Sequence, residues 1–97
     1  MTEPRFDELV HQPHRLRICV ILSAAETVSF QALCDELAVG MPTLSKQLKM
    51  LTDAGYVTTT KTRGRGRPAT WAALTATGRG ALAGHLAALR QLADGAG

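Results

Sequence analysis

The segment from Pro42 to Leu74 constrains the fold of this 97-residue chain more than any other part of its sequence. Leu44, Leu48 and Leu51 recur with the spacing of one helix face, which predicts a helix from Pro42 to about Ala54. Two runs rich in β-branched and aromatic residues then flank Thr62–Pro68, in which arginine alternates with glycine. The segment therefore predicts a helix followed directly by a hairpin with a cationic tip.

Helices of amphipathic period are also predicted on both sides of this segment, over Pro13 to about Ala25, Phe30 to Leu37 and Ala76 to about Ala93. Ser29 and Thr75 stand where an N-cap side chain accepts a hydrogen bond from the first helical turn. The tight turn Ala38–Met41 joins the second and third helices, as in a helix-turn-helix. Phe6 to Val10 predicts only a short arm or helical turn that packs loosely.

Length and apolar content bound the architecture. Ninety-seven residues leave room for one hydrophobic core, and an apolar fraction of 45% is that of a folded chain. We therefore predict a single domain, residues 1–97, that is mainly α-helical with a small β-hairpin. Residues 6–75 form a three-helix core with a two-stranded wing, and residues 76–93 form a long C-terminal helix.

Positive charge is concentrated on the predicted helix and hairpin. Residues 41–70 carry six cations and one anion, a net charge of +5, whereas the rest of the chain has five cations and seven anions, a net charge of −2. Such a cationic patch is the electrostatic footprint of a protein that binds a polyanion. A helix fits a major groove, and arginines separated by glycines fit the adjacent minor groove, so duplex DNA is the predicted partner.

Other classes of function lack their usual signals. Cys19 and Cys34 fall in apolar helical patterns without adjoining ligands, so we expect buried thiols in place of a metal site or disulfide. His11, His14 and His85 share no metal-ligand spacing. No phosphate-cradling loop or catalytic constellation is recognisable, so neither an enzyme nor a cofactor is predicted.

No apolar run approaches the roughly 20 residues of a membrane span, and the polar N-terminus is unlike a signal peptide, so a cytoplasmic location is expected.

Four short motifs follow one another along the chain: Pro13–Ile18 (PHRLRI), Leu44–Leu48 (LSKQL), Asp53–Val57 (DAGYV) and Leu74–Arg79 (LTATGR). From about Phe6 to Leu92, they resemble the small winged helix-turn-helix transcription regulators of the MarR/ArsR superfamily. The resemblance implies a homodimeric regulator, most often a repressor, that binds a pseudo-palindromic operator. Metal-sensing relatives carry a Cys-x-Cys-type motif on the recognition or a neighbouring helix, whereas this chain has only Cys34 there.

The resemblance implies that the third helix is the recognition helix in the major groove and that residues 62–68 are an arginine wing in the minor groove. The residues expected to contact DNA are Thr43, Ser45, Lys46, Gln47, Lys49, Lys61, Arg63, Arg65 and Arg67. Gln47 could contact adenine through both amide groups, or it could be a half-buried residue beside the leucines. The lysines could contact phosphate or form a solvated face. The wing arginines, whose segment 65–68 resembles the core of an AT-hook, could enter the minor groove, contact phosphate or lie in a solvated loop.

The last helix carries more apolar residues than a small three-helix core requires. Its stripe is the predicted dimer interface, formed by Leu82, His85, Leu86, Leu89 and Leu92. The same stripe could instead be the core face of a monomer. A second function also stays open, in which the winged helix is a protein-interaction module whose basic wing docks an acidic partner. The sequence predicts neither an operator sequence nor a small-molecule effector.

Overall fold

In the computed structural model, which describes residues 2–62 and 66–95, five helices pack around a small antiparallel sheet. The helices are α1 (Glu8–His11), α2 (Pro13–Ser23), α3 (Phe30–Leu37), α4 (Met41–Asp53) and α5 (Ala76–Gly95). The strands are β1 (Val28–Ser29), β2 (Val57–Thr62) and β3 (Ala69–Leu74), in the order β1-β3-β2. The predicted helical fold with a wing is confirmed, and β1 is a third strand beyond the predicted hairpin. No helix within the described residues is long and apolar enough to cross a membrane.

The ends of the helices follow the local signals in the sequence. Ser29 Oγ accepts a hydrogen bond from the Ala32 amide at 3.1 Å, and Thr75 Oγ1 accepts one from the Gly78 amide at 2.9 Å. Gly55 follows Ala54, the C-cap residue of α4. Its φ of +79° is the left-handed conformation that glycine adopts without a Cβ clash. These contacts fix where α3 and α5 begin and where α4 gives way to the wing.

Strand β1 joins the wing to the helix-turn-helix. Val28 pairs with Ala72 and Ser29 pairs with Trp71, so β3 lies between β1 and β2. Ser29 is also the N-cap of α3, and therefore one residue belongs both to the sheet and to the start of the helix-turn-helix. The base of the wing is held at a fixed position relative to α3 and α4.

The core lies where α2, α3 and α4 meet the inner face of the sheet. Leu44, Leu48 and Leu51 of α4 are buried as their spacing predicted, together with apolar residues of α2, α3 and the strands. Both cysteines are buried, as predicted. Burial raises the pKa of the Cys19 thiol to about 11, so this sulfur stays protonated and packs as a small apolar group.

The N-terminal arm, residues 3–11, packs closely along α5, and the prediction of loose packing is wrong. The Arg5 amide donates to the Gly84 carbonyl at 2.9 Å, and the Asp7 amide donates to His85 Nδ1 at 3.0 Å. His11 Nδ1 lies 3.1 Å from His85 Nε2. Because His85 Nδ1 accepts a hydrogen bond, the proton of its neutral ring is on Nε2 and points to His11. The arm is therefore attached to α5 at two successive residues, Gly84 and His85.

Titratable side chains of the arm shift one another's pKa values. Burial, followed by the neighbouring His11, lowers the pKa of His85 and favours its neutral ring, although Asp7 and Glu8 oppose this shift. Tyr56 donates to Asp7 Oδ2 at 2.5 Å, and this bond, together with burial, raises the pKa of Tyr56 to about 12. Burial acts to raise the pKa of Asp7, but the hydrogen bonds from Tyr56 and from the α1 amides outweigh it and lower the pKa. Asp7 therefore stays a carboxylate that ties the arm to the residue preceding β2.

Candidate nucleic-acid interface

One open groove of about 540 Å³ runs between the start of α4 and the base of the wing. Met41 and Ser45 of α4 line one side, and Arg67 and Thr70 line the wing side. Residues at the start of α3 complete the groove. The predicted recognition helix and the cationic wing therefore border the same surface of the molecule.

Lys61 faces this same side because of the register of the wing. Val57 pairs with Leu74 and Lys61 pairs with Thr70 across the β2–β3 hairpin. Directly paired residues share a face of the sheet, and so do residues two apart along a strand. The face that buries Val57 and Leu74 against the core thus carries Lys61 and Thr70 at its outer end. Strand pairing therefore places Lys61 directly opposite Thr70, which lines the groove.

The solvent face of α4 matches the expected contact surface in part. The exposed residues among those predicted are Thr43, Ser45, Lys46 and Lys49. Lys49 Nζ lies 2.9 Å from Asp53 Oδ2, one helical turn further on. Both side chains are largely solvated, so this ion pair is weak and a DNA phosphate can replace it. These four residues remain predicted DNA contacts.

Gln47 is placed differently from the prediction of a two-point adenine contact. It is 9% exposed, and its Oε1 accepts a hydrogen bond from Arg15 Nη1 at 2.6 Å. The oxygen is therefore directed at Arg15, and the alternative of a residue packed beside the leucines fits the structure, with the side chain buried more fully than that alternative stated. The spacing carries the signal for this, because position 47 is three residues after Leu44 and four before Leu51, on the buried stripe.

Arg15 is a residue of this region that is absent from the set of predicted contacts. Its Nε donates to the Leu9 carbonyl at 2.6 Å, while Nη1 contacts Gln47 and lies 3.2 Å from Met50 Sδ. One guanidinium thus joins the N-terminal arm, α2 and α4. A buried glutamine requires a hydrogen-bond partner, and that requirement is the signal that could have pointed to Arg15.

Of the wing, the structure describes strands β2 and β3 and residues 66–68 between them. Arg67 is exposed beside the groove, and the Trp71 indole donates to Thr62 Oγ1 at 3.1 Å, which ties the two strands together near the tip. Arg63 and Arg65, which are also predicted to contact DNA, lie outside the described residues. Their contacts remain predictions.

The predicted dimer stripe divides into a buried half and an exposed half. Leu82 belongs to the core, and His85 is 0% exposed beneath the N-terminal arm. These two side chains are packed inside their own chain, so their assignment to a surface that meets a second copy is corrected. Leu86 and Leu92 are 40% and 63% exposed, and Leu89 is half-buried. The predicted interface is therefore reduced to Leu86, Leu89 and Leu92.

Comparisons with known proteins agree with this arrangement. The winged helix DNA-binding domain family matches residues 14–93. A search of curated proteins found no match. The solved structure of a transcriptional regulator homologue from Pyrococcus horikoshii OT3 aligns with a TM-score of 0.87 at 25% identity, covering 92% of this chain and 88% of that chain.

Two further solved structures share the fold. A possible transcriptional regulator for arsenical resistance aligns with a TM-score of 0.65 at 25% identity, covering 90% of this chain and 92% of that chain. An ArsR family transcriptional regulator aligns with a TM-score of 0.62 at 21% identity, covering 90% of this chain and 84% of that chain. With a family match over most of its length, the chain belongs to the winged helix DNA-binding domain family and has the fold of MarR/ArsR-type regulators.

Proposed function

We propose that this protein is a DNA-binding transcription regulator that places α4 in a major groove and the wing in the adjacent minor groove. The observation that carries the proposal is the groove bordered by Ser45 on α4 and by Arg67 on the wing. Lys46 and Lys61 add positive charge to the same region, and the family to which the chain belongs binds DNA. A duplex seated there contacts helix and wing at once.

The proposed regulator is a homodimer. Leu86, Leu89 and Leu92 leave an apolar strip on α5, which a second copy of the chain would cover. A two-fold dimer presents two recognition helices to half-sites about one turn of DNA apart, so the operator expected for it is a pseudo-palindrome. Such a dimer covers the operator and represses by excluding other proteins from it.

Binding to duplex DNA of random sequence at low salt tests the proposal. If each subunit neutralises about four phosphates, the logarithm of the binding constant falls against the logarithm of salt concentration with a slope of about −7 for the dimer. Gel-shift or fluorescence-anisotropy titrations between about 50 and 200 mM salt measure this slope. Failure to bind duplex DNA even at the lowest salt contradicts the proposal and favours the alternative, in which the basic wing docks an acidic protein.

A further inference from the structure

The contact between Arg15 and Gln47 determines which atoms of the recognition helix are available to DNA. Arginine carries only donors, so the Gln47 atom that faces its guanidinium at 2.6 Å is the amide oxygen. The Arg15 Nε bond to the Leu9 carbonyl holds the same guanidinium from the other side. The amide group of Gln47 is therefore held in one orientation.

The amide nitrogen of Gln47 remains available. Among the described residues, no side-chain nitrogen or oxygen is both buried and without a partner, and the Arg15 bond is the hydrogen bond described for this side chain. Gln47 Nε2 is therefore not sealed in the interior, although the residue as a whole is only 9% exposed. On α4 it lies one turn from Thr43 and close to Met50, both of which are exposed.

We propose that Arg15 is a positioning residue for DNA recognition, and that it turns Gln47 into a hydrogen-bond donor that selects guanine over adenine. The major-groove edge of guanine offers two acceptors, N7 and O6, whereas adenine offers an acceptor and a donor that a freely turning amide would match with both of its groups. With its oxygen directed at Arg15, the amide of Gln47 presents its N–H groups to a base. This inference rests on the proposed function, in which α4 enters the major groove.

The matched pair of variants is Arg15→Met and Arg17→Met. Both remove one positive charge from α2, but Arg17 donates to the Glu36 carbonyl on α3 and makes no described contact with α4. Each variant is titrated with a site selected by the wild type and with random duplex DNA. We expect R15M to lose roughly tenfold in the ratio of these two affinities, since a positioned base contact is lost. R17M is expected to keep the ratio of the wild type.

The ratio of the two affinities distinguishes a lost base contact from a loss of folded protein. A smaller folded fraction lowers both affinities by the same factor, and its effect cancels in the ratio. Equal ratios for R15M and R17M therefore contradict the inference while leaving the proposed function standing. A wild type that binds no duplex DNA contradicts the proposed function itself.

Gln47→Glu gives an independent test through binding-site selection. Glutamate still accepts from Arg15 but has no N–H to donate. We expect the wild type and R17M to select guanine at one position in each half-site, Q47E to lose that preference, and R15M to lose it or change it to adenine. Adenine selected by the wild type contradicts the inference. So does an equal loss of affinity for every sequence in Q47E, because that result indicates a phosphate contact.

Discussion

Replacing Arg65 and Arg67 by alanine is expected to weaken binding to duplex DNA by a factor on the order of a thousand. A dimer loses four charge-assisted contacts, each contributing about 1 kcal/mol, and 4 kcal/mol corresponds to almost three powers of ten. The slope of the salt dependence should also become shallower by about 3.6, at roughly 0.9 for each lost phosphate contact. Any preference for A·T-rich flanks should weaken, because arginine is attracted to narrow minor grooves.

The matched control replaces Arg17 and Arg79 by alanine, which removes the same charge from helices that do not line the groove. Arg17 donates to the Glu36 carbonyl and Arg79 to the Ser23 carbonyl. The control should keep an affinity near that of the wild type. If the wing variant and the control bind equally well in anisotropy titrations, the wing does not contact DNA as proposed.

Gly78→Ala is expected to lower the free energy of unfolding by about 2–3 kcal/mol, which for a chain of this size lowers the Tm by roughly 10 °C or more. A Cβ at this position would overlap the Tyr56 carbonyl oxygen and lie 2.8 Å from Leu74 Cδ1. The carbonyl cannot easily withdraw, because it accepts a hydrogen bond from the Thr75 amide at 2.9 Å. Urea and thermal unfolding followed by circular dichroism measure the loss.

Gly80 on the same helix provides the control for this prediction. A Cβ at Gly80 meets no atom of the described residues within 4 Å, so Gly80→Ala is expected to raise stability by up to about 1 kcal/mol through helix propensity. Opposite signs for the two variants would show that packing against Tyr56, and not glycine as such, determines the effect. Equal stabilities for Gly78→Ala and the wild type would contradict the described packing of α5 on the junction between α4 and β2.

Features of the fold that depend on neighbouring residues were predicted well from sequence. The N-caps at Ser29 and Thr75 each depend on a few adjacent residues, and strand Ala69–Leu74 follows directly after the tip, as predicted. The pairing of Val28 with Ala72 was not predicted, because a two-residue strand is stabilised by a partner more than forty positions away. Local pattern carries little information about such a pairing.

In the candidate site too, local features were predicted from the sequence and long-range contacts were not. Exposure of Lys46 and the place of Arg67 beside the groove agree with a prediction from helical period and charge. The environments of Gln47 and His85 were not predicted. Their partners, Arg15 and the N-terminal arm, lie 32 and 74–78 residues away in the sequence. A polar residue on an apolar stripe indicates that a partner exists, but the sequence does not say which residue it is.

An amide chemical-shift titration of the ¹⁵N-labelled protein with duplex DNA tests most directly whether α4 and the wing engage one duplex together. We expect the amides of Thr43, Ser45 and Lys46 and those of Arg67 and Thr70 to shift with a single common midpoint. Shifts confined to one of these two groups, or two groups that saturate at different DNA concentrations, would contradict it.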